Sequence, residues 1–102
     1  MADRMKIRAT MAGDVAEIKV LMAHPMENGQ RKDAGQTIPP HFIQNISVEV
    51  GGKMVIQGQT GTSVSRNPVF GFKVKDAKAG DKVVITWRDN KGDSRTDTTT
   101  IA

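Results

Sequence analysis

Apolar and polar residues alternate along most of the chain, which is the pattern of β-strands that bury one face. The alternation occurs in seven segments: 5–11, 15–23, 42–50, 53–59, 70–74, 83–88 and 93–101. Turn-forming residues separate these segments, and no segment places its apolar residues at helical spacing. The pattern therefore predicts an all-β chain.

The spacing of the turns predicts how the strands assemble. Gly13-Asp14, Gly51-Gly52 and the Asp-Asn-Lys-Gly run at 89–92 are predicted to close hairpins. About seven strands with turn signals every 8–12 residues are typical of Greek-key sandwiches. We therefore expect an immunoglobulin-like Greek-key β-sandwich that forms a single domain over residues 1–102.

The apolar positions predict which strand faces point into the core. In segment 42–50 the core face is predicted at the even positions, which leaves Ile43 on the opposite face. Gly71 interrupts an apolar strand and is predicted to mark a bulge or a close-packed neighbour. Elsewhere the predicted core positions are Ile18, Val20, Met22, Phe70, Phe72, Val74, Val83, Ile85 and Trp87.

The stretch from His24 to Ile43 separates two predicted strands and has no strand or helix period of its own. It contains both histidines and three of the four prolines of the chain. Loops of this length are uncommon in compact domains and are more often functional than accidental. This loop is the first candidate for a functional region.

Composition excludes several classes of function. The chain has no cysteine, which excludes disulfides, thiolate metal sites, thiol nucleophiles and a covalent thiol carrier role. Its net charge of +4 comes from basic residues scattered among acids, which indicates a solvated surface or an acidic partner. The first eleven residues carry no apolar segment of the secretory kind, and no apolar run is long enough to cross a membrane. Taken alone, these features indicate the cytoplasm.

Catalytic and metal-binding motifs are weak in this sequence. Nothing pairs Ser63 or Ser65 with a histidine in a recognisable nucleophile motif. His24 and His41, together with the carboxylates Glu27 or Asp33, could complete a zinc site, but their spacing matches no common ligand pattern. The alternative is that both histidines hydrogen-bond to the loop that carries them.

Two binding functions also remain open from the residues. Phe70 and Phe72 with Lys73 and Lys75 superficially resemble a base-stacking platform for nucleic acid, but same-face phenylalanines at period two are more often core. The long loop instead combines apolar anchors with charges, which is the composition of a protein contact surface. The loop could equally pack its own prolines against the sandwich. The residues concerned are Met26, Arg31, Lys32, Asp33, Ile38, Phe42 and Ile43.

At this loop the sequence resembles the SoxZ family, the small subunits of the SoxYZ sulfur-carrier complex of bacterial thiosulfate oxidation. The resemblance covers nearly the whole chain in order. It is carried by His24-Pro25-Met26-Glu27, Gly29, Arg31-Lys32-Asp33, Ile38-Pro39, His41-Phe42-Ile43, Ser65-Arg66-Asn67-Pro68, Gly80-Asp81-Lys82, Trp87, Asp89-Asn90, Gly92 and Ser94-Arg95-Thr96-Asp97.

The resemblance implies a non-enzymatic role without a cofactor. In that family the partner SoxY carries the sulfur intermediate on the cysteine of a flexible Gly-Gly-Cys-Gly-Gly arm, and the small subunit binds SoxY and helps to present the arm to the Sox enzymes. It also implies a periplasmic location, reached by export with a signal-bearing partner, and no nucleic-acid or membrane partner. We expect Arg31 and Lys32 to offset the charge of anionic sulfur intermediates. The residues expected to contact the partner or support the arm are His24, Met26, Arg31, Lys32, His41 and Phe42. The alternative is a stand-alone ligand- or metal-binding sandwich that uses His24 and His41.

Overall fold

A computed structural model describes residues 4–27, 29–30, 32–60 and 67–102 of the chain. These residues form two main antiparallel sheets, a separate two-stranded sheet and no helix, so none of them lies in a helix that could cross a membrane. The strands are β1 Lys6–Ala12, β2 Val15–Leu21, β3 Lys32–Asp33, β4 Gln36–Thr37, β5 Ile43–Val50, β6 Lys53–Gln59, β7 Val69–Lys75, β8 Lys82–Asp89 and β9 Ser94–Thr100. The all-β prediction is confirmed.

The two main sheets are built from hairpins and crossovers. One sheet has the strand order β1-β2-β7, and the other has the order β6-β5-β8-β9. The chain passes between the sheets after β2, after β6 and after β7, which is a Greek-key path. The prediction of an immunoglobulin-like sandwich is therefore confirmed. Gly51 and Gly52 close the β5–β6 hairpin with φ angles of 61° and 85°, and a type I′ turn requires both to be positive.

The core lies between the inward faces of the two sheets. From β2 and its extension, Ile18, Val20 and Met22 are fully buried, and they face the buried Val83, Ile85 and Trp87 of β8. The predicted core faces of these strands are confirmed. Phe70 and Phe72 of β7 pack against the same core while remaining partly exposed, so they are not a free aromatic platform.

Two details of the predicted strands are wrong. Ile43 is completely buried and Gln44 is exposed, because the pairing of β5 with β8 shifts between Ile43 and Asn45 and resets the alternation. Gly71 lies opposite Lys19 in regular register, and a Cβ atom added to it would meet nothing within 4 Å. It marks neither a bulge nor a close neighbour.

The long loop contains a small hairpin that the sequence pattern did not predict. Strands β3 and β4 pair over two residues each, and Ala34 and Gly35 connect them with φ angles of 52° and 80°. The side chain of Lys32 is exposed on this hairpin. Several residues of the sequence-based hypotheses lie outside the described residues: Arg31, Ser63, Ser65, Arg66 and the side chain of Asp33.

Candidate functional site

The two histidines meet at one carboxylate. His24 follows β2 and His41 precedes β5, whereas Asp89 is the last residue of β8. The Nε2 atoms of His24 and His41 lie 3.0 Å and 2.7 Å from the same oxygen, Oδ2 of Asp89. The Asp89 side chain is fully buried, and the His41 side chain keeps 26% of its surface exposed. We refer to His24, His41 and Asp89 as the histidine–aspartate cluster.

The second oxygen of Asp89 organises the β8–β9 turn. Its Oδ1 atom accepts hydrogen bonds from the backbone N–H groups of Lys91, at 3.0 Å, and Asp93, at 2.9 Å. The Asp89 backbone N–H donates to the carbonyl of Asp93, and its own carbonyl accepts from Gly92. Aspartate favours such turns because its short side chain reaches the backbone of the following residues. One side chain therefore shapes a hairpin and binds the long loop.

The imidazole of His24 is packed between two rings. Its centroid lies 5.1 Å from that of Trp87 and 4.6 Å from that of His41, both edge to face. Burial lowers the pKa of His24 below the ordinary value of 6.5, and this outweighs the opposing hydrogen bond to Asp89. His24 is therefore neutral in the folded protein at neutral pH.

The hydrogen bonds of His24 also determine its tautomer. The backbone N–H of Met26 donates to Nδ1 at 3.1 Å, so Nδ1 carries no proton. In a neutral imidazole the proton must then be on Nε2, which donates to Asp89. The short loop segment from His24 to Met26 thereby fixes the proton of a buried ring.

Asp89 is ionised in this environment. Burial raises its pKa, but the hydrogen bonds from the two histidines and from the N–H groups of Asp93 and Lys91 outweigh burial, so the pKa lies below the ordinary 3.8. A carboxylate that accepts several N–H donors is stabilised in its charged form.

Two asparagines hold the loop at its ends. Asn67 accepts the His24 N–H on its side-chain oxygen at 3.0 Å and returns its own backbone N–H to the His24 carbonyl at 2.9 Å. Asn90 accepts the Phe42 N–H at 2.8 Å and donates its side-chain amide to the Pro40 carbonyl at 2.9 Å. The loop is thus anchored beside β7 and beside the β8–β9 turn.

The remaining predicted site residues divide by exposure. Met26 is buried with a positive φ of 47°, and its sulfur accepts the Ile43 N–H at 3.3 Å. Phe42 is half-buried, whereas Lys32 is exposed. The structure thus brings His24, Met26 and His41 into one supporting cluster next to Phe42. Sequence reasoning missed the role of Asp89, although Asn67, Asp89 and Asn90 all lie in the motifs that carry the family resemblance.

The histidine–aspartate cluster is also the candidate metal centre among the described residues, since its three ligand atoms lie within 4.8 Å of one another. Its carboxylate is Asp89, whereas the sequence suggested Glu27 or Asp33, and the side chain of Asp33 lies outside the described residues. Histidine ligands of metals normally donate their second N–H to an acceptor. Here Nδ1 of His24 faces the N–H donor of Met26, so a metal on Nε2 would leave this ring either without a proton or with two donors in conflict. The donor set therefore fits a hydrogen-bonded histidine–aspartate cluster better than a metal site.

The chain matches the model of a known protein family. The family model described as sulphur oxidation protein SoxZ matches residues 5–100. No significant match to a curated protein was found.

Among solved structures, the chain is similar to a reduced, single-residue variant of superoxide reductase (neelaredoxin) from Archaeoglobus fulgidus. The TM-score is 0.59 with 20% sequence identity, covering 97% of this chain and 86% of that chain. At this identity the likeness concerns the fold alone.

Replacing the shared carboxylate tests whether the histidine–aspartate cluster stabilises the fold. We expect Asp89→Asn to lower the free energy of unfolding by about 3 kcal/mol, because the amide cannot accept from both histidines and from two backbone N–H groups. Asp93→Asn removes the same charge from an exposed position of the same turn and should cost less than about 1 kcal/mol. Urea denaturation measures both values. Equal effects of the two substitutions would contradict a stabilising role of the histidine–aspartate cluster.

Acidification should weaken the fold through His24. The pKa of His24 is lower in the folded than in the unfolded chain, so below about 6.5 the unfolded chain binds the proton first and stability falls. The lowered pKa of Asp89 adds a second loss of stability as the pH falls below 3.8. Urea denaturation between pH 8 and 5 should show a shallower pH slope for His24→Gln than for the parent chain. Identical slopes would refute the assignment to His24.

Added zinc should not stabilise the chain. We expect one equivalent of Zn²⁺ at pH 7.5 to leave Tm unchanged, because the proton on Nε2 of His24 occupies the position that the metal would need. Differential scanning calorimetry with and without a chelator measures this. A rise of roughly 10 °C that His41→Ala abolishes would instead establish a metal site.

Proposed function

This chain belongs to the SoxZ family of sulphur oxidation proteins, and we propose that it is the non-catalytic subunit of a heterodimeric sulfur-carrier complex. Membership makes it a subunit of the Sox sulfur-oxidation system. The proposed partner is the carrier subunit SoxY, whose C-terminal cysteine arm would visit the Sox enzymes during thiosulfate oxidation. The proposal also places the complex in the periplasm, reached by export together with the signal-bearing partner.

One observation carries this proposal: a chain matched to a sulphur-oxidation family over nearly its whole length has no cysteine. Sulfur intermediates are held covalently on a thiolate, since the thiolate is the nucleophile of sulfur exchange chemistry. This chain cannot supply one. Its contribution must therefore pass through a partner that can.

The histidine–aspartate cluster supports a role in presenting a surface. The clamps at His24 and Phe42 fix both ends of the loop, and Asp89 binds its two histidines. A contact surface that is ordered before binding loses less conformational entropy when the partner docks. The exposed side chains between these ends, including Lys32 and Pro39-Pro40, are the part available to a partner.

We propose two groups of functional residues in this region. His24, Met26 and His41 support the loop, because their side chains are buried or half-buried at the end of the sandwich that carries it. Lys32 and Phe42 contact the partner or its arm, and Arg31 is assigned with them from the sequence. Cationic groups there would offset the negative charge of thiosulfonate or sulfonate groups on the carrier cysteine.

Native mass spectrometry tests the proposal directly. The full chain is mixed with a SoxY-type carrier protein from the same source, and we expect a one-to-one complex with a dissociation constant below about 1 μM, as stable interfaces give. A Cys→Ser change in the arm of the partner is the matched control, and it should leave assembly intact while removing any extra sulfur mass.

Two outcomes would contradict the proposal. A chain that remains alone or forms only homo-oligomers in the presence of that partner would remove the heterodimer. A chain purified with stoichiometric metal would favour the alternative of a stand-alone metal-binding sandwich at His24 and His41.

A further inference from the structure

The outer face of the β1-β2-β7 sheet carries mostly positive charges. Residues directly opposite each other in register share a face, so the pairings place Lys6, Leu21 and Val69 in one row across the three strands. The next row contains Arg8, Lys19 and Gly71, and the row after that contains Thr10, Glu17 and Lys73. We call this surface the basic face. Its charged members are Lys6, Arg8, Glu17, Lys19, Lys73 and Lys75.

The basic face contains one favourable and one unfavourable cross-strand charge pair, and the favourable one places Glu17 directly opposite Lys73. Arg8 lies directly opposite Lys19, and like charges at such cross-strand positions are destabilising. Within residues 4–27, 29–30, 32–60 and 67–102, none of its five basic side chains forms an ion pair. A repulsive pair in which neither cation forms an ion pair with a described residue points to a role outside folding.

The outer face of the other sheet provides the contrast. There Ser47, Thr86 and Thr96 form one row across β5, β8 and β9, and the two threonine hydroxyls hydrogen-bond at 3.0 Å. The charged residues of this face are Lys82, Arg88 and Glu49, with a net charge of +1, whereas the basic face has a net charge of +4. The excess of positive charge is therefore concentrated on one sheet.

One end of the basic face is apolar and indented. Leu21 is half-buried, and Val69 beside it keeps 66% of its surface exposed, the largest exposure among the large apolar side chains described. A depression opens here, lined in part by Lys6, Arg8 and Lys19. Gly71 extends this depression, because glycine has no side chain. An apolar spot edged by cations has the composition of a protein docking surface.

We propose that the basic face is a docking surface for an acidic protein, with Leu21 and Val69 as its apolar contact and Arg8 and Lys19 as its main charged contacts. Charge complementarity identifies the partner, because carboxylates would relieve the repulsion between the two cations. A single-stranded nucleic acid is the weaker candidate. No aromatic side chain lies on these rows to stack a base, since the phenylalanines of β7 face the core.

The position of the basic face makes simultaneous binding feasible. Leu21 ends β2 three residues before His24, and Val69 follows the Asn67-Pro68 segment that clamps His24. The apolar end of the basic face therefore adjoins the base of the long loop, while its cationic rows extend away along the sheet. This proposal does not depend on the identity of the partner that binds the loop.

Charge reversal with a matched control tests the docking surface. Arg8→Glu with Lys19→Glu brings the net charge from +4 to 0, and Lys53→Glu with Lys82→Glu makes the same change on exposed residues of the opposite sheet. The probes are a ten-residue glutamate peptide with a central Leu-Leu pair and a 20-nucleotide single-stranded DNA. Fluorescence anisotropy at 0.15 M salt gives the affinities. We expect the reversal on the basic face to weaken peptide binding by at least roughly tenfold and the control to weaken it less than about threefold.

A second measurement separates docking from simple charge attraction. Leu21→Ser should lower affinity for the Leu-Leu peptide and leave affinity for an all-glutamate peptide unchanged, and circular dichroism checks that the variant is folded. If the charge-reversed pair fails to fold, Arg8→Gln with Lys19→Gln replaces it. Equal losses for both charge-reversed pairs, or tighter binding of the DNA than of the peptide, would overturn the proposal.

Discussion

The arrangement of this end of the sandwich depends on a single buried carboxylate. Asp89 receives four N–H donors, two from the imidazoles of His24 and His41 and two from the backbone of the β8–β9 turn. A buried anion is tolerated only when its lone pairs are satisfied. One carboxylate therefore connects the β8–β9 turn with both ends of the long loop.

The buried residues and the outer surfaces of the chain therefore have different roles. The sheets bury an aliphatic core around Trp87, and the hydrogen bonds of His24 and His41 to Asp89 join the long loop to the end of the sandwich. The outer faces then differ in charge while sharing one core. The two proposed contact surfaces, the long loop and the basic face, are therefore separate parts of the surface above one core.

Much of the fold could be predicted from the sequence because strand alternation is a local property. The alternation located the seven long strands, and the paired glycines at 51 and 52 located a hairpin. It failed at Ile43, where a register shift set by β8 overrides the local period, and at Gly71, whose openness depends on which face it occupies. The site was harder to predict, since Asp89 lies 65 residues from His24 and 48 from His41. No local pattern encodes contacts at such separations, although the family motifs contain all three residues.

The position of Trp87 has a consequence for observing the protein. The chain has one tryptophan and no tyrosine, so its near-ultraviolet emission comes from a single indole. That indole packs edge to face against His24, which is bonded to Asp89 and Met26. The chain therefore contains an intrinsic optical reporter of its own loop. Changes in the order of the histidine–aspartate cluster can be followed by emission of this chain without a label.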